Sequence, residues 1–348
     1  MKTNRRGLLK LVLSGAAALL VQANGFSNTL KSSDSSSKSS TGQPKVLLAA
    51  SSTKDASMNR ISLTPEEFLY ESYFPLLKLN EGERCDFYRC SARNVTVGYG
   101  TNVQIDPNKL NGTNIYHNNK KLTQAQKKTF LANMTKIDDV ELNKYTINLD
   151  DAKKLARTDA LKKINYLKQK CTNPNTKKSY FSDLPICMQI MTLDVCYNVR
   201  NFDEYQKFRE GLMTGNYAQA TKESKVNIKK ENGTKITNKG RELRKQRSFI
   251  VMNIVRENYP NSPSNILKLV AQNHENANLN EEPANREANL KIEATLTICE
   301  YIRCEMLAGK CSAPTKENLT SYIQECQKTI MTYANQYKIQ RKKANKSR

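Results

Sequence analysis

A glutamate at the end of a predicted helix, followed by a glycine-containing hairpin, is the part of this sequence best suited to chemistry. Glu81 stands before Gly82, and the Tyr-, Val- and Thr-rich residues 87–103 include Gly98 and Gly100. Glycine lets a backbone approach a ligand closely, because it has no side chain to interfere. A carboxylic acid facing such a backbone can protonate the leaving oxygen of a glycoside, while a second group activates water or attacks the sugar. The pattern therefore predicts a glycosidase site, with a solvated helix-end glutamate as the alternative.

The same stretch resembles the active-site signature of the phage-type lysozymes, glycoside hydrolase family 24. That signature has Glu-Gly, then Tyr, then Asp, then Thr-[Ile/Val]-Gly-Tyr-Gly-His. Without a gap, its acid falls on Glu81, its Tyr on Tyr88 and its Thr on Thr96, with glycines at Gly98 and Gly100. The resemblance implies a lysozyme-like fold and a muramidase that hydrolyses the N-acetylmuramic acid–N-acetylglucosamine bonds of bacterial peptidoglycan.

Similarity to the family continues along the chain and spans about 65–255. Residues 149–159 are similar to the interlobe helix of the family, and residues 185–198 belong to the part similar to its C-terminal lobe. The resemblance implies substrate contacts from Tyr88, Gly98, Tyr99, Asn198 and Arg244. Two alternatives stay open, since tyrosines more commonly pack in a core and an arginine within a basic stretch is commonly solvated.

Two positions depart from the signature, because the second acid of the family is Cys90 here and the terminal histidine is Thr101. A thiolate can serve as nucleophile or base, although a neutral thiol is a weaker base than Asp. Thr96 would position water beside Cys90, or is simply a β-forming residue. We expect Glu81 as the general acid, with Cys90 and Thr96 completing the catalytic set. Asp86 lies about 13 Å from residue 90 along a strand, too far to substitute. The alternative is a catalytically impaired lysozyme-like protein that binds cell-wall glycan.

The helix that must present Glu81 has clear boundary signals. Residues 64–67, Thr-Pro-Glu-Glu, form a capping box with proline at the first helical position. Pro75 should end this helix near Tyr73 and open a second short one. Gly82 should stop the second helix.

Beyond the hairpin the sequence predicts mainly helices. Thr123 and Asn148 are expected to start helices, and residues 185–197 are apolar nearly all round, as in a buried central helix. Further helices are predicted at about 203–213, 216–226 and 240–257. We therefore expect an α+β protein, a mostly helical lysozyme-like fold with a small β-hairpin lobe. Residues 64–259 would form this domain, and residues 260–348 a helical C-terminal extension of unknown role.

The N-terminus resembles a targeting segment. Residues 1–23 have the basic start, apolar stretch and small-residue cleavage pattern of a secretory signal peptide, and Arg5-Arg6 is similar to the twin-arginine type. An uncleaved anchor is the alternative, although the apolar stretch is short for a membrane span. Residues 24–63 are Ser-rich and are expected to form a disordered linker. These features predict an exported protein, periplasmic or secreted, with no stable membrane insertion after cleavage.

Composition narrows the expected partners. The formal net charge is +23, and it is about +19 without residues 1–23, which favours anionic polymers. Nucleic acid is disfavoured because aromatic residues for base stacking do not accompany the basic clusters. Peptidoglycan is therefore the expected partner.

No metal or cofactor is expected. His117 and His274 are the only histidines and stand far apart in polar segments, and none of the nine cysteines forms a Cys-x-x-Cys pair. In an exported protein some cysteines should form disulfides. A Cys85–Cys90 bond is conceivable and would block the catalytic position.

Overall fold

A computed structural model gives the fold of the chain. It describes residues 61–90, 93–199, 201–225, 227–229, 235–277 and 283–346. The predicted signal peptide, residues 1–23, and most of the predicted linker, residues 24–63, lie outside the described residues. Leu63, at the end of that linker, is held by a hydrogen bond from its N–H to the carbonyl of Pro314 at 3.0 Å.

The helix that carries Glu81 is α1 (Pro65–Glu81), which begins at the predicted cap Thr64 and ends before Gly82, the glycine that was predicted to stop a second helix. Thr64 and Glu67 form the reciprocal capping box, and the N–H of Gly82 bonds to the carbonyl of Lys78 at 3.0 Å. The predicted break near Tyr73 is wrong, since Pro75 stands inside one continuous helix. Proline removes one helical hydrogen bond, but buried aromatic and leucine side chains hold α1 in the core on both sides of Pro75.

Three short strands after α1 form a β-meander in the region where the sequence predicted a small β-hairpin. They are β1 (Phe87–Arg89), β2 (Val95–Val97) and β3 (Thr101–Asn102), paired antiparallel in that order. Tyr88 lies opposite Thr96 in this register. The meander therefore places two of the predicted site residues on neighbouring strands.

A second antiparallel sheet was not predicted. It consists of β4 (Ile115–His117), β5 (Lys120–Lys121) and β6 (Tyr145–Ile147), with β4 in the centre. Two helices, α2 (Gln124–Asn133) and α3 (Asp139–Leu142), lie between β5 and β6 along the chain. The predicted helix start at Thr123 is confirmed, because Thr123 caps α2.

Two long helices connect this part to the rest of the protein. Helix α4 (Leu149–Lys170) starts at the predicted cap Asn148 and buries an apolar stripe. Helix α5 (Ile186–Asn198) is buried on nearly all sides, as predicted for residues 185–197. Both helices pack against α1.

Shorter elements follow α5. They are α6 (Gln206–Met213), α7 (Tyr217–Glu223), β7 (Asn227–Lys229), β8 (Lys235–Thr237) and α8 (Lys239–Asn258). Three short 3-10 helices span Pro107–Leu110, Phe181–Asp183 and Phe202–Glu204. Strands β7 and β8 form an antiparallel hairpin that was not predicted. Helix α8 packs on α5 and carries the arginine that contacts Glu81.

The predicted C-terminal extension consists of α9 (Pro263–Asn276), α10 (Pro283–Leu307) and α11 (Lys316–Lys346). Helix α10 packs against α1, α5 and α8, so the extension shares the core of the preceding residues. A buried ionic cluster joins them, in which Arg247 of α8 donates two hydrogen bonds to Glu293 of α10, at 2.6 and 2.8 Å. His274 of α9 completes the cluster, with its Nδ1 2.9 Å from Glu293. His274 is thus fully buried, although its sequence neighbours are polar.

The observed class is α+β, mostly helical with small antiparallel sheets. Among the described residues, no helix combines the length and apolar character that crossing a membrane requires.

Candidate active site

Glu81 lies in the last turn of α1, and one arginine holds its carboxylate. The Glu81 side chain is 20% exposed, and its Oε1 accepts a hydrogen bond from Nη2 of Arg241 at 2.7 Å. Arg241 is buried in the first turn of α8, and its Nη1 donates to Oδ1 of Asn198 at the end of α5. Three helices, α1, α5 and α8, therefore meet at Glu81.

Burial of Glu81 favours its protonated form, whereas Arg241 favours its ionised form. Burial raises the pKa of Glu81 above its ordinary value, because a charged carboxylate is poorly solvated there. The charge and hydrogen bond of Arg241 lower this pKa, whereas the charge of Asp194 raises it, and the net direction is upward. A carboxyl group with a raised pKa holds its proton to a higher pH than an ordinary glutamate and can give it to a leaving group.

The glycine-containing hairpin faces Glu81, as predicted. Gly100 has a φ of +77°, and a Cβ atom added there would lie 2.8 Å from Oε2 of Glu81. Gly98 has a φ of +64°, and its added Cβ would lie 3.1 Å from Cβ of Ala152 in α4. Gly100 therefore makes room for the carboxyl group, whereas Gly98, predicted to bind substrate, makes room for α4.

Cys90 and Thr96, the other predicted catalytic residues, meet at one backbone carbonyl. The N–H of Cys90 and the hydroxyl of Thr96 both donate to the carbonyl oxygen of Asn94, each at 3.0 Å. Cys90 is half-buried with a free thiol, and Thr96 is buried. The threonine hydroxyl proton is occupied by this bond, so only its oxygen lone pairs are available to orient a water molecule.

The two tyrosines predicted to bind substrate differ in their surroundings. Tyr88 is half-buried, and burial together with the charge of Glu81 raises its pKa to about 12. The guanidinium carbon of Arg84 lies 4.1 Å from the centre of its ring. Tyr99 is fully buried, and its hydroxyl donates to Glu83 at 2.8 Å. Tyr88 therefore belongs to the surroundings of Glu81, whereas burial of Tyr99 favours the packing alternative.

The arginine at the site is Arg241, which the sequence reasoning missed. Arg244, the predicted residue, directs Nη1 toward Oδ1 of Asn289 in α10 at 3.4 Å. Asn198 does reach the site, through its hydrogen bond with Arg241. Asp194 was also missed, and its Oδ2 lies 3.8 Å from Nε of Arg241. A charged residue inside the otherwise apolar helix predicted at 185–197 was the available signal for Asp194.

All nine cysteines lie within the described residues, and all are free thiols. The expected disulfides, including a Cys85–Cys90 bond, are therefore not present. Within the part of the chain that the structure describes, no three His, Cys, Asp or Glu side chains are grouped so that they could hold a metal ion.

Two cavities open elsewhere on the described surface. One, of about 270 Å³, lies between α1, α4, α5 and the end of α10 and is largely apolar. The other, of about 330 Å³, lies between α1, α4 and the start of α11 and is lined by Lys153, Lys154, Arg157 and Lys316 among others. Neither is lined by Glu81, Cys90 or Thr96.

No family model, curated protein or solved structure matches this chain. The residues of the signature stretch and the geometry around Glu81 are therefore the features that point to a function.

Proposed function

We propose that this chain is an exported peptidoglycan hydrolase, a muramidase with a lysozyme-like fold, in which Glu81 is the general acid. The observation that carries the proposal is the carboxyl group of Glu81, mostly buried, with a raised pKa and Gly100 of the signature hairpin directly against it. Such a carboxyl group can protonate the glycosidic oxygen while the bond to the sugar breaks.

The second catalytic group is assigned to Cys90. Its thiol is free, and its backbone shares the Asn94 carbonyl with the hydroxyl of Thr96. As a thiolate it would activate water or attack the anomeric carbon from the face opposite Glu81. The proposed substrate contacts are Tyr88, on which the charge of Glu81 acts, and Asn198, which accepts a hydrogen bond from Arg241.

The free thiol also supports a second candidate function. A thiol is a weaker base than the Asp that the family signature has at this position. A lysozyme-like protein with this substitution would retain strands of cell-wall glycan without cutting them. The two candidates differ in whether the wild-type chain hydrolyses glycan, and both have peptidoglycan as the partner.

Zymography on purified peptidoglycan, combined with an assay for newly released reducing ends, tests the proposal. We expect the wild-type chain to release reducing ends and Glu81→Gln to lose about 10²- to 10⁴-fold of the rate, because the glutamine has no proton to donate. Glu83→Gln is the matched control. Glu83 lies two residues away and is ion-paired with Lys78 on the surface, so its rate should stay near wild type. Glu81→Gln with most of the wild-type rate would contradict the proposal.

Substitutions at Cys90 separate the two candidates. For an active enzyme, Cys90→Ala should lower the rate, Cys90→Asp should preserve or raise it, and thiol alkylation should silence it unless glycan is bound. For the binding protein, the wild type should be inert but retained on peptidoglycan, and Cys90→Asp is the variant that could gain hydrolysis. Cys311, the exposed thiol, provides the control, because Cys311→Ser should leave the rate unchanged and restrict alkylation to the remaining thiols.

A further inference from the structure

Asp194 is a buried carboxylate that faces the arginine of the candidate active site from inside the protein. It is 1% exposed and lies one turn before Asn198 in α5. Its Oδ1 accepts a hydrogen bond from Nδ2 of Asn80 at 2.8 Å, and Asn80 is the residue before Glu81. Asp194 thus contacts α1 beside Glu81 and approaches the arginine that Glu81 binds.

The approach of Asp194 to Arg241 is incomplete. The distance from Oδ2 of Asp194 to Nε of Arg241 is 3.8 Å, which is an ion pair but too long for a hydrogen bond. Both atoms are buried, and neither has a hydrogen-bond partner. A shift of roughly 1 Å would join them, because a good N–H to carboxylate bond is about 2.8 Å long. Arg241 therefore donates a hydrogen bond to Glu81, whereas it forms only a longer ion pair with Asp194.

This geometry resolves a conflict in the proposed function. A general acid must be protonated before the reaction, but a buried arginine with a single carboxylate partner would force that carboxylate to remain ionised. With Asp194 present, Arg241 keeps a counter-charge when Glu81 is neutral. When Glu81 gives its proton to the glycosidic oxygen, the new carboxylate again has Arg241 beside it.

We propose that Asp194 is a positioning residue that takes up the charge of Arg241 whenever Glu81 holds its proton. The inference rests on the proposed role of Glu81 as general acid. In the neutral state of Glu81, Nε of Arg241 closes on Oδ2 of Asp194. In the ionised state, Nη2 binds Oε1 of Glu81, as in the structure described above.

Four groups with a charge or a titrating proton act on Asp194. Tyr73 and Glu81 act on it from α1, and Arg241 and Lys245 act on it from α8. Burial raises the pKa of Tyr73, so its phenol stays neutral. Burial lowers the pKa of Lys245, but the Lys245 ammonium is held by the carbonyl of Ser224 at 2.7 Å and by Glu242 at 3.2 Å. Glu81 is therefore the group of this cluster whose protonation changes the pairing of Arg241.

The test is a carboxylate NMR titration of Glu81 in the full chain labelled with ¹³C-glutamate and ¹³C-aspartate, with Glu81→Gln used for assignment. In Asp194→Asn the titration midpoint of Glu81 should fall by about one pH unit, because Arg241 then has Glu81 as its remaining carboxylate. The alkaline limb of kcat/KM should move down by the same amount, while KM changes little. If Asp194 had a merely structural role, Asp194→Asn would lower stability without moving the titration midpoint of Glu81 or the alkaline limb of kcat/KM.

Asp159→Asn is the matched control. Asp159 is also a buried carboxylate, paired with Lys109 at 2.8 Å. Its loss should destabilise the protein and leave the titration of Glu81 unchanged. An unchanged midpoint in Asp194→Asn, or a shift as large in Asp159→Asn, would overturn the inference.

The wild-type chain gives a second measurement that does not depend on the folding of Asp194→Asn. In a ¹⁵N-labelled chain, the Nε resonance of Arg241 should shift as Glu81 takes up its proton, because Nε then closes on Oδ2 of Asp194; an Nε resonance that stays unchanged through the titration of Glu81 would overturn the inference. Failure of the proposed function can be distinguished from failure of the inference about Asp194. A chain that shows the expected titrations but releases no reducing ends would refute the hydrolase and keep the charge exchange.

Discussion

Replacing Gly100 by alanine tests the geometry around Glu81 most directly. Gly100 has a left-handed φ of +77°, which costs a residue with a side chain about 1–2 kcal/mol. The added methyl group would also lie 2.8 Å from Oε2 of Glu81. The carboxyl group must then move by roughly 0.6 Å to reach an ordinary van der Waals distance. That movement disturbs the 2.7 Å bond between Glu81 and Arg241.

Stability and activity should therefore change by different amounts. The conformational cost predicts a loss of about 1–2 kcal/mol in the free energy of unfolding, which lowers Tm by about 2–4 °C per kcal/mol. The displaced carboxyl group predicts a further loss of about 10- to 100-fold in kcat, because a catalytic group misplaced by about 1 Å loses up to about 10²-fold. Thermal unfolding and the release of reducing ends from peptidoglycan measure the two effects separately.

Two other glycines provide matched controls. Gly98→Ala has a similar backbone cost, with φ +64°, but its methyl group would meet Ala152 and not Glu81. Gly82→Ala, with φ +78°, would meet nothing within 4 Å, but its ψ of 169° lies in a region open essentially to glycine alone, so its loss of stability should be larger. Gly98→Ala should lose stability like Gly100→Ala, and both control variants should keep most of their activity. Equal activity losses in Gly98→Ala and Gly100→Ala would refute the inference that Gly100 makes room for the carboxyl group of Glu81, the proposed general acid.

Three predictions concern stability outside the site. Glu293→Gln should lower the free energy of unfolding by about 3–5 kcal/mol at neutral pH, because it leaves the buried Arg247 without a counter-charge. Chemical unfolding measures this loss. Burial raises the pKa of Glu293, but Arg247 and His274 outweigh it and hold the pKa below the ordinary value of 4.5. The difference in the free energy of unfolding between wild type and Glu293→Gln should therefore shrink as pH falls below that value. Lys127→Met should lower the free energy of unfolding by about 2–3 kcal/mol, because the Lys127 ammonium donates hydrogen bonds to three backbone carbonyls, at 2.6, 2.7 and 3.0 Å. The loss of these bonds would be measured as a lower Tm. A chain ending at residue 259 should be insoluble on expression, since it exposes the core that α10 covers; a soluble, cooperatively unfolding product would contradict this.

Local chemistry predicted the boundaries of α1 and the position of Glu81. A capping side chain at Thr64 and a glycine at residue 82 satisfy backbone groups within a few residues, so the sequence alone contains the signal. Pro75 misled the prediction, because the loss of one helical hydrogen bond is smaller than the gain from burying apolar residues on both sides of it.

Long-range pairing was the part that the sequence did not predict. Ile115 pairs with Ile147 across 32 positions, and residues 115–121 are rich in polar side chains that give no strand pattern. Arg241 and Arg244 lie less than one helical turn apart in a basic stretch, so which one reaches Glu81 depends on how α8 is rotated. That rotation is fixed by α8 packing on α5 and α10, and in particular by the bonds from Arg247 to Glu293.

The packing of α10 against α1 also sets an order of events during synthesis. Helix α1 leaves the ribosome more than 200 residues before α10, yet its buried face lies partly against that helix. Until α10 emerges, nascent α1 and α8 would display apolar side chains and the unpaired guanidinium of Arg247 to the cytosol. Folding of the N-terminal part should therefore wait for the end of the chain, and chaperones that bind exposed apolar segments would have a long interval in which to act.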